Sequence, residues 1–578
     1  MKKLSTLFII IGIIVIAGYV YLRYILESGG GFQKAEANDN VKTKRSETVL
    51  DLRPKFISRL QQLVKQASNG LYDLSIESVD PDILQSTVEL KNITLTADST
   101  VLKSQNNKKE APDDIFRIKL DSLKITGINI NDFIKKDQID IKTINLKGPL
   151  VEIFHDPKSY NKNKNVPSAG ILDRLQNTVK HLFIEKAVIT NAHLIDHNLR
   201  KKTNTVIEGM LLDLSDILID SSSKGKRGIF YSRSGKITVK NYKITTGDKL
   251  YNFKIGNVTF ASPENVMRAS DVKFEPKYSR SEFQSKFPYA KEQYSVAVPS
   301  IIMHGIDWWN IVNSESIISN RVEINGGKVD IYLDLTKHSL HVKRNGYPDQ
   351  LLLELPFPVH IPIVKINNLN VSYSEYHPSS GKAGILYFDH INATVSNVTN
   401  IPAEIKKNGK SKITAESVFM HSIPMKADVQ FDLLSARSGA FTSQIKMGGF
   451  DGTMMNSLSE SMGMFTVKRG NVRSAAALIK GDNTAGTGQI SFEYNSLHIT
   501  PIKKDDDRKS TMKKKSIISF VANKFIIKDN NPSKGEEKAR TGDSYFKRGP
   551  DNSFFNVIWK TALVGILKII GIPEKFAH

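Results

Sequence analysis

Hydrophobic residues along this chain follow three successive patterns. The first is an unbroken apolar run, LSTLFIIIGIIVIAGYVYL from Leu4 to Leu22, with no charged residue. The second is helical: Val49, Leu52, Phe56, Leu60 and Leu63 recur at turn spacing within Thr48 to Ser68, and Gly70 supplies a stop. From Leu71 the period becomes two. In FRIKLDSLKI, Phe116, Ile118 and Leu120 alternate with Arg117, Lys119 and Asp121, then the parity slips to Leu123 and Ile125, as at a bulge. Short alternating stretches continue to about Ile527, separated by polar loops such as DPKSYNKNKNVPSAG and KKDDDRKSTMKKK. Two further helical stretches are predicted, Ile171 to Lys180 and Ser553 to Ile570. The expected fold is mainly β.

The strands also recur in order. VELKNITLTADSTV from Val88 resembles FKIGNVTFASPENV from Phe253. RIKLDSLKITGIN resembles YSVAVPSIIMHGID, with Ser122 and Gly127 on Ser300 and Gly305. INLKGPLVEIFHD resembles VEINGGKVDIYLD, with Gly148, Val151 and Asp156 on Gly326, Val329 and Asp334. HLFIEKAVITNAHLIDHN resembles HIPIVKINNLNVSYSEYH, and IEGMLLDLSDI resembles FDHINATVSNV. Five matches in one order predict a duplicated β architecture.

The apolar run is long enough, at ~1.5 Å per residue, to span a ~30 Å hydrocarbon core. Leu7, Phe8, Ile9, Ile10, Ile11, Ile13, Ile14, Val15 and Ile16 form its apolar body, and Tyr19, Tyr21 and Tyr24 stand where an interfacial belt belongs. Lys2 and Lys3 precede it, whereas Arg23 is offset by Glu27, which places the N-terminus in the cytoplasm and the body in the periplasm. The rival is a cleaved signal peptide, which has a shorter apolar region and small residues where these tyrosines crowd. GGGFQKAEANDN then reads as a flexible linker.

Composition narrows the chemistry. The 578 residues include no cysteine, which removes disulfides, thiolate metal sites and cysteine nucleophiles. The formal net charge of +22 points to an anionic partner, lipid or nucleic acid, or to solubility alone. The basic residues are spread over many loops and the body is expected outside the cytoplasm, so nucleic acid is not expected. His193 and His197 are four apart but in a strand-like run, His338 and His341 would face opposite sides of a strand, and no third ligand accompanies either pair. Phosphate-loop and nucleophile-elbow spacings are absent. Neither a cofactor nor an enzyme is expected.

Three helices cannot cover some twenty-odd half-apolar strands. Either two sheets cover each other as a sandwich, or one sheet curls into a trough and another molecule covers its inner face. The C-terminal stretches MFTVKRGNVRSAAALIKGDNTAGTGQISFEYNSLHI, SIISFVANKFIIKDNNP and RGPDNSFFNVIWKTALVGILKIIG resemble the C-terminal region of AsmA-like proteins, relatives of the repeating β-groove, bridge-like lipid transfer proteins. NGLYDLSIESVDPDILQSTVELKNITL agrees with the N-terminal layout of that family. The resemblance implies a protein anchored in the inner membrane of a Gram-negative envelope. It implies an elongated, curled β-sheet groove that moves or holds phospholipid or another acyl lipid between membranes. The other role in view is a non-enzymatic envelope scaffold assisting outer-membrane protein assembly. In the trough, Phe116, Ile118 and Leu120, with Val151, Ile153, Val329 and Ile331, are the candidate lining. Exposing an acyl chain to water costs ~0.8 kcal/mol per methylene, so on the order of 12 kcal/mol for sixteen carbons, and an apolar lining lowers that barrier. At ~4.8 Å between strands, roughly 25 strands extend ~120 Å.

The expected layout is an anchor at 1–27, a linker at 28–47, a capping helix at 48–70, β regions at 71–250, 251–400 and 401–527, and a polar linker with the last helix at 528–578. In that helix Asn556, Lys560 and Lys568 share one narrow stripe, while Phe554, Phe555, Ile558, Trp559, Leu563, Leu567 and Ile570 cover most of the rest. Two placements follow: a buried plug at the end of the sheet, or a helix in a membrane interface with both lysines reaching headgroups. In the second case the C-terminal end meets a second membrane or an outer-membrane partner protein.

Overall fold

The computed structural model describes residues 57–58, 60–62, 64–65, 68–82, 86–128, 138–161, 181–200, 202–220, 231–306, 316–337, 346–355, 357–378, 380–461, 465–502, 527–549 and 552–572. The expected anchor, the linker, most of the Thr48 to Ser68 helix, the Ile171 to Lys180 helix and the His338–His341 pair lie outside these residues. Within them, no helix is long and apolar enough to cross a membrane.

The protein is mainly β, with 23 described strands in one large mixed sheet. Its contacts define two compact units. One lies within Met1–Ile244, Ile255–Met267 and Trp308–Ser314, the other within Thr245–Lys254, Arg268–Asp307 and Glu315–His578.

The first unit contains β1 (Tyr72–Asp82), β2 (Thr87–Ala97), α1 (Ser99–Asn107), β3 (Asp114–Ile128), β4 (Gln138–Lys147), β5 (Leu150–His155), β6 (His181–Asn198), β7 (Thr203–Asp220) and most of β8 (Ser232–Thr245). β1, β2 and β3 are antiparallel. β3 then pairs antiparallel with both β4 and β5, which follow one another along it. Both pair parallel with β6, and β6, β7 and β8 are again antiparallel. Residues 57–58, 60–62 and 64–65 are helical. There Leu60 and Val64 are buried, Gln61 Nε2 donates to the Leu74 carbonyl at 3.0 Å, and Lys65 pairs with Asp73 at 2.9 Å, which seats this segment on β1.

The parity slip expected between Leu120 and Leu123 is present, since both are buried. It recurs across the strands: Leu90 and Ile93 in β2, and Ile189 and Ala192 in β6, are buried pairs three apart. Left-handed residues accompany it, namely Asn92, Gly148, Asn191, Gly209 and Asn241. The β6–β7 and β7–β8 ladders break register at the last three. Asn and Gly tolerate this conformation, and a row of bulges bends the strands together.

β9 (Tyr251–Ser262) and β10 (Val266–Pro276) divide between the units. The second unit continues with α2 (Arg280–Ser285), β11 (Gln293–His304), β12 (Ile317–Ile318), β13 (Arg321–Asn325), β14 (Lys328–Asp334), α3 (Pro348–Leu353), β15 (Val359–His377), β16 (Lys382–Thr399) and α4 (Pro402–Lys407). Then come β17 (Lys410–Phe419), β18 (Ile423–Asp432), β19 (Phe441–Met447), β20 (Phe450–Asp451), α5 (Asn456–Ser461), β21 (Phe465–Gly481), β22 (Ala485–Pro501), β23 (Thr541–Lys547) and α6 (Phe554–Ile570). β11 pairs antiparallel with β13 and β14, both of these pair parallel with β15, and β16 follows antiparallel. This is the connectivity of β3 to β7, so four of the five sequence matches have the same topology. Gly127 and Gly305, and Gly148 and Gly326, all have positive φ.

The fifth match is corrected. β9 corresponds to β1, not to β2. The Phe116 amide donates to the Tyr72 hydroxyl at 3.1 Å, and the Tyr294 amide to the Tyr251 hydroxyl at 3.3 Å. Likewise the Asp98 amide meets the Leu71 carbonyl and the Lys277 amide the Leu250 carbonyl, both at 2.8 Å.

From β16 to β19 the ladder is antiparallel, β19 and β20 both pair with β21, and β22 and β23 complete it.

Candidate functional site

The second unit holds an apolar cavity of about 460 Å³ between the strands β15–β22 and the helix α6. Its strand wall includes Val371, Phe388, Ile413, Met425, Val429, Val467 and Phe492. Small residues make the space: Ala415, Ala427, Ala475, Ala476 and Ala477 line it where larger side chains would fill it. Phe450, Met455 and Leu458, around α5, close one side. Ser417, Ser443 and Ser459 belong to the wall, yet their hydroxyl oxygens are buried and without hydrogen-bond partners, so the surface offered is hydrocarbon.

The other wall is α6. Ser553 caps it by accepting from the Asn556 amide, and Gly571, left-handed at φ 92°, ends it. Phe554, Phe555, Ile558, Trp559, Leu563 and Ile570 line the cavity. The opposite side, with Val557, Thr561, Val564 and Gly565, is buried and packs on β22 and β23. Gly486, Gly488 and Gly542 form the seat: a Cβ at Gly542 would run into the Gly565 carbonyl. Apolar residues on nearly every side of this helix thus have two partners, strands and cavity, as expected of a buried helix.

Asn556, which shares its helical stripe with Lys560 and Lys568, is buried at 1 % exposure. Its Nδ2 donates to the Tyr373 hydroxyl at 2.7 Å and to Glu375 Oε2 at 2.8 Å. Tyr373 donates to the same carboxylate oxygen at 2.7 Å, and His377 Nε2 stands 2.9 Å from Oε1. Burial alone would raise the Glu375 pKa, but His377, the charge of Lys560 and the Asn556 amide outweigh it and hold it at about 2. The same burial and the adjacent carboxylate push Tyr373 well above its ordinary value. Lys568 donates to the Asp543 carbonyl at 3.2 Å, and the Lys560 ammonium lies 5.6 Å from the Trp559 ring centre. Leu567 is buried.

The lining residues predicted from sequence are distributed differently. Phe116 pairs with Ile153 and Ile118 with Val151 across β3 and β5, and these four and Leu120 are buried in the first unit. Val329 pairs with Val371, which lines the cavity, and Ile331 packs against the cluster around Tyr373 and Phe388. The strand wall of the cavity was missed by sequence reasoning. The available signal was the run of small residues SAAAL within an otherwise bulky strand, and the methionines from Met425 to Met455.

Among the described residues, no group of three or more His, Asp or Glu is placed to hold a metal ion. His197 stacks on Phe154 at 4.8 Å. No protein-family model and no curated protein matches the chain.

Proposed function

We propose that this protein binds acyl lipid and holds or transfers it between the membranes of an envelope, its body in the periplasm and its Leu4 to Leu22 segment in the inner membrane. The observation that carries the proposal is the hydrocarbon-walled cavity beneath α6. The about 460 Å³ of apolar space, walled by hydrocarbon, suits the acyl part of a lipid. With hydrocarbon walls throughout, the headgroup stays outside. The resemblance to AsmA-like proteins favours the same reading, with the sheet as an elongated trough and phospholipid as cargo.

The test is direct. The delipidated full chain is incubated with phospholipid vesicles, re-isolated, and its bound lipid measured by mass spectrometry. Stoichiometric acyl lipid is expected; a protein that emerges lipid-free sinks the proposal.

A further inference from the structure

At one end of the second unit, four short segments are bound to one another. Gln350 in α3 donates to the Ala436 carbonyl in the 3-10 turn Leu433–Ser438 at 2.8 Å. The Leu433 amide donates to the Gly409 carbonyl, just after α4, at 2.8 Å. Asn483, in the turn between β21 and β22, donates to the Ser438 carbonyl at 2.8 Å and, through Nδ2, to that of Arg437 at 2.9 Å. Tyr347 donates to the Asp482 carbonyl at 2.8 Å.

The polar groups of these segments therefore face each other, and leucines face outward. Leu434 is 69 % exposed and Leu351 51 %, with Leu353 and Leu355 also exposed. These are four of the eleven large apolar side chains with such exposure among the described residues, gathered on two neighbouring segments. Isolated exposed leucines need no explanation, but a cluster on a rigid frame does. Lys406, Lys407, Lys410 and Arg437 are exposed on the same segments. Acids there are largely engaged: Asp432 and Asp482 cap backbone amides, Asp349 is buried, and Glu404 pairs with Lys407 at 2.7 Å.

We propose that this end is a bilayer-docking surface: Leu351, Leu353, Leu355 and Leu434 enter the headgroup boundary of an anionic membrane while the surrounding cations meet its phosphates. Outward leucines with exposed lysines and arginine on the neighbouring segments are the two elements of interfacial binding, apolar area and attraction to anionic lipid. The surface also adjoins the cavity. Tyr347, at the start of α3, packs edge-on against Phe554 at 5.3 Å, and Phe554 lines the cavity. The purpose of docking rests on the acyl-cavity reading; the binding itself does not. The sequence left α6 two placements, a buried plug or a helix in a membrane interface; α6 packs on β22 and β23 and lines the cavity.

The full chain, kept soluble in amphipol, is mixed with vesicles of phosphatidylcholine with or without phosphatidylglycerol and scored by flotation. Bound acyl lipid is measured by mass spectrometry on the same samples. The parent is expected to float with anionic vesicles and to be released by salt. Leu351→Ser with Leu434→Ser should weaken flotation at least tenfold, and Lys406→Ala with Arg437→Ala should weaken it in a salt-dependent way. Leu434→Ser alone, at a site too exposed to disturb folding, should show part of the loss, and Leu478→Ser, an exposed leucine on β21, none. Parent protein that does not float, or leucine variants that float equally, overturns the docking surface whatever the lipid measurement shows. Flotation without bound lipid leaves docking standing and removes the cavity reading.

Discussion

Asn556 donates to Glu375 at 2.8 Å from the first turn of α6, joining the last helix to β15 through a carboxylate that is 1 % exposed. Because the folded pKa of about 2 lies below the unfolded value of roughly 4.3, ionised Glu375 contributes stability above that pH. The contribution is lost as pH falls from there through the folded value. Glu375→Gln should therefore flatten the melting temperature against pH in that acid window. Asn556→Leu should lower it at neutral pH, by about 1–3 kcal/mol of stability, since it leaves a buried carboxylate short of a donor. Parallel pH curves for parent and Glu375→Gln would remove this carboxylate from the account.

Asp349 has the opposite sign. It is 3 % exposed, and burial, only partly offset by the backbone amides of Asp349 and Gln350, raises its pKa to about 6. The folded protein then holds a proton that the unfolded chain releases near pH ~3.9, so stability falls as pH rises from there to about 6. Asp349→Asn should remove that decline and raise the melting temperature at neutral pH. No gain at neutral pH would mean the carboxylate is satisfied in solution.

Gly148 and Gly326 hold corresponding places in the repeated β units but differ in surroundings. Both have positive φ, 61° and 70°. A Cβ at Gly148 would run into the Asp121 carboxylate, whereas at Gly326 it would meet Pro299 Cγ at an ordinary 3.6 Å. Alanine at either site adds left-handed strain of about 1–2 kcal/mol. Gly148→Ala should cost more than Gly326→Ala, and Asp121→Ala should recover part of the difference. Additive losses in that double mutant, measured by urea unfolding, would refute the steric cause.

The period-two pattern told which side of β3 is buried, because one face of a strand must leave water. The repeated order of strands picked out Gly127 and Gly148, since left-handed positions restrict residue choice. The correspondence of β1 with β9 was not legible: its signature is Tyr72 meeting Phe116 and Tyr251 meeting Tyr294, contacts far apart in sequence, while neighbouring strands look alike in composition. The partner of Asn556 was not legible either, because its helical spacing to Lys560 says nothing of Glu375, supplied by a distant strand. The cavity was hidden for a related reason. An alanine in a strand is ordinary, and becomes a void only when a helix stands opposite it.

That void gives the last prediction. Ala415 and Ala427 are cross-strand partners on β17 and β18, both half-buried and both in the cavity wall. Directly opposed residues on one face touch, so two phenylalanines there stack across the ladder and project into the empty space. Filling a cavity removes ligand volume without removing any contact that the fold now makes. Ala415→Phe with Ala427→Phe should therefore keep the parent's circular dichroism and melting temperature within a few degrees, yet weaken binding of a fluorescent fatty acid about tenfold or more, equivalent to at least ~1.4 kcal/mol. The same pair of phenylalanines on an outward face would do neither: Thr414 and Asp428, next to them in register, carry hydrophilic side chains hydrogen-bonded to each other at 2.8 Å. A variant that folds as the parent does and binds the probe equally well would show that the acyl chain lies elsewhere.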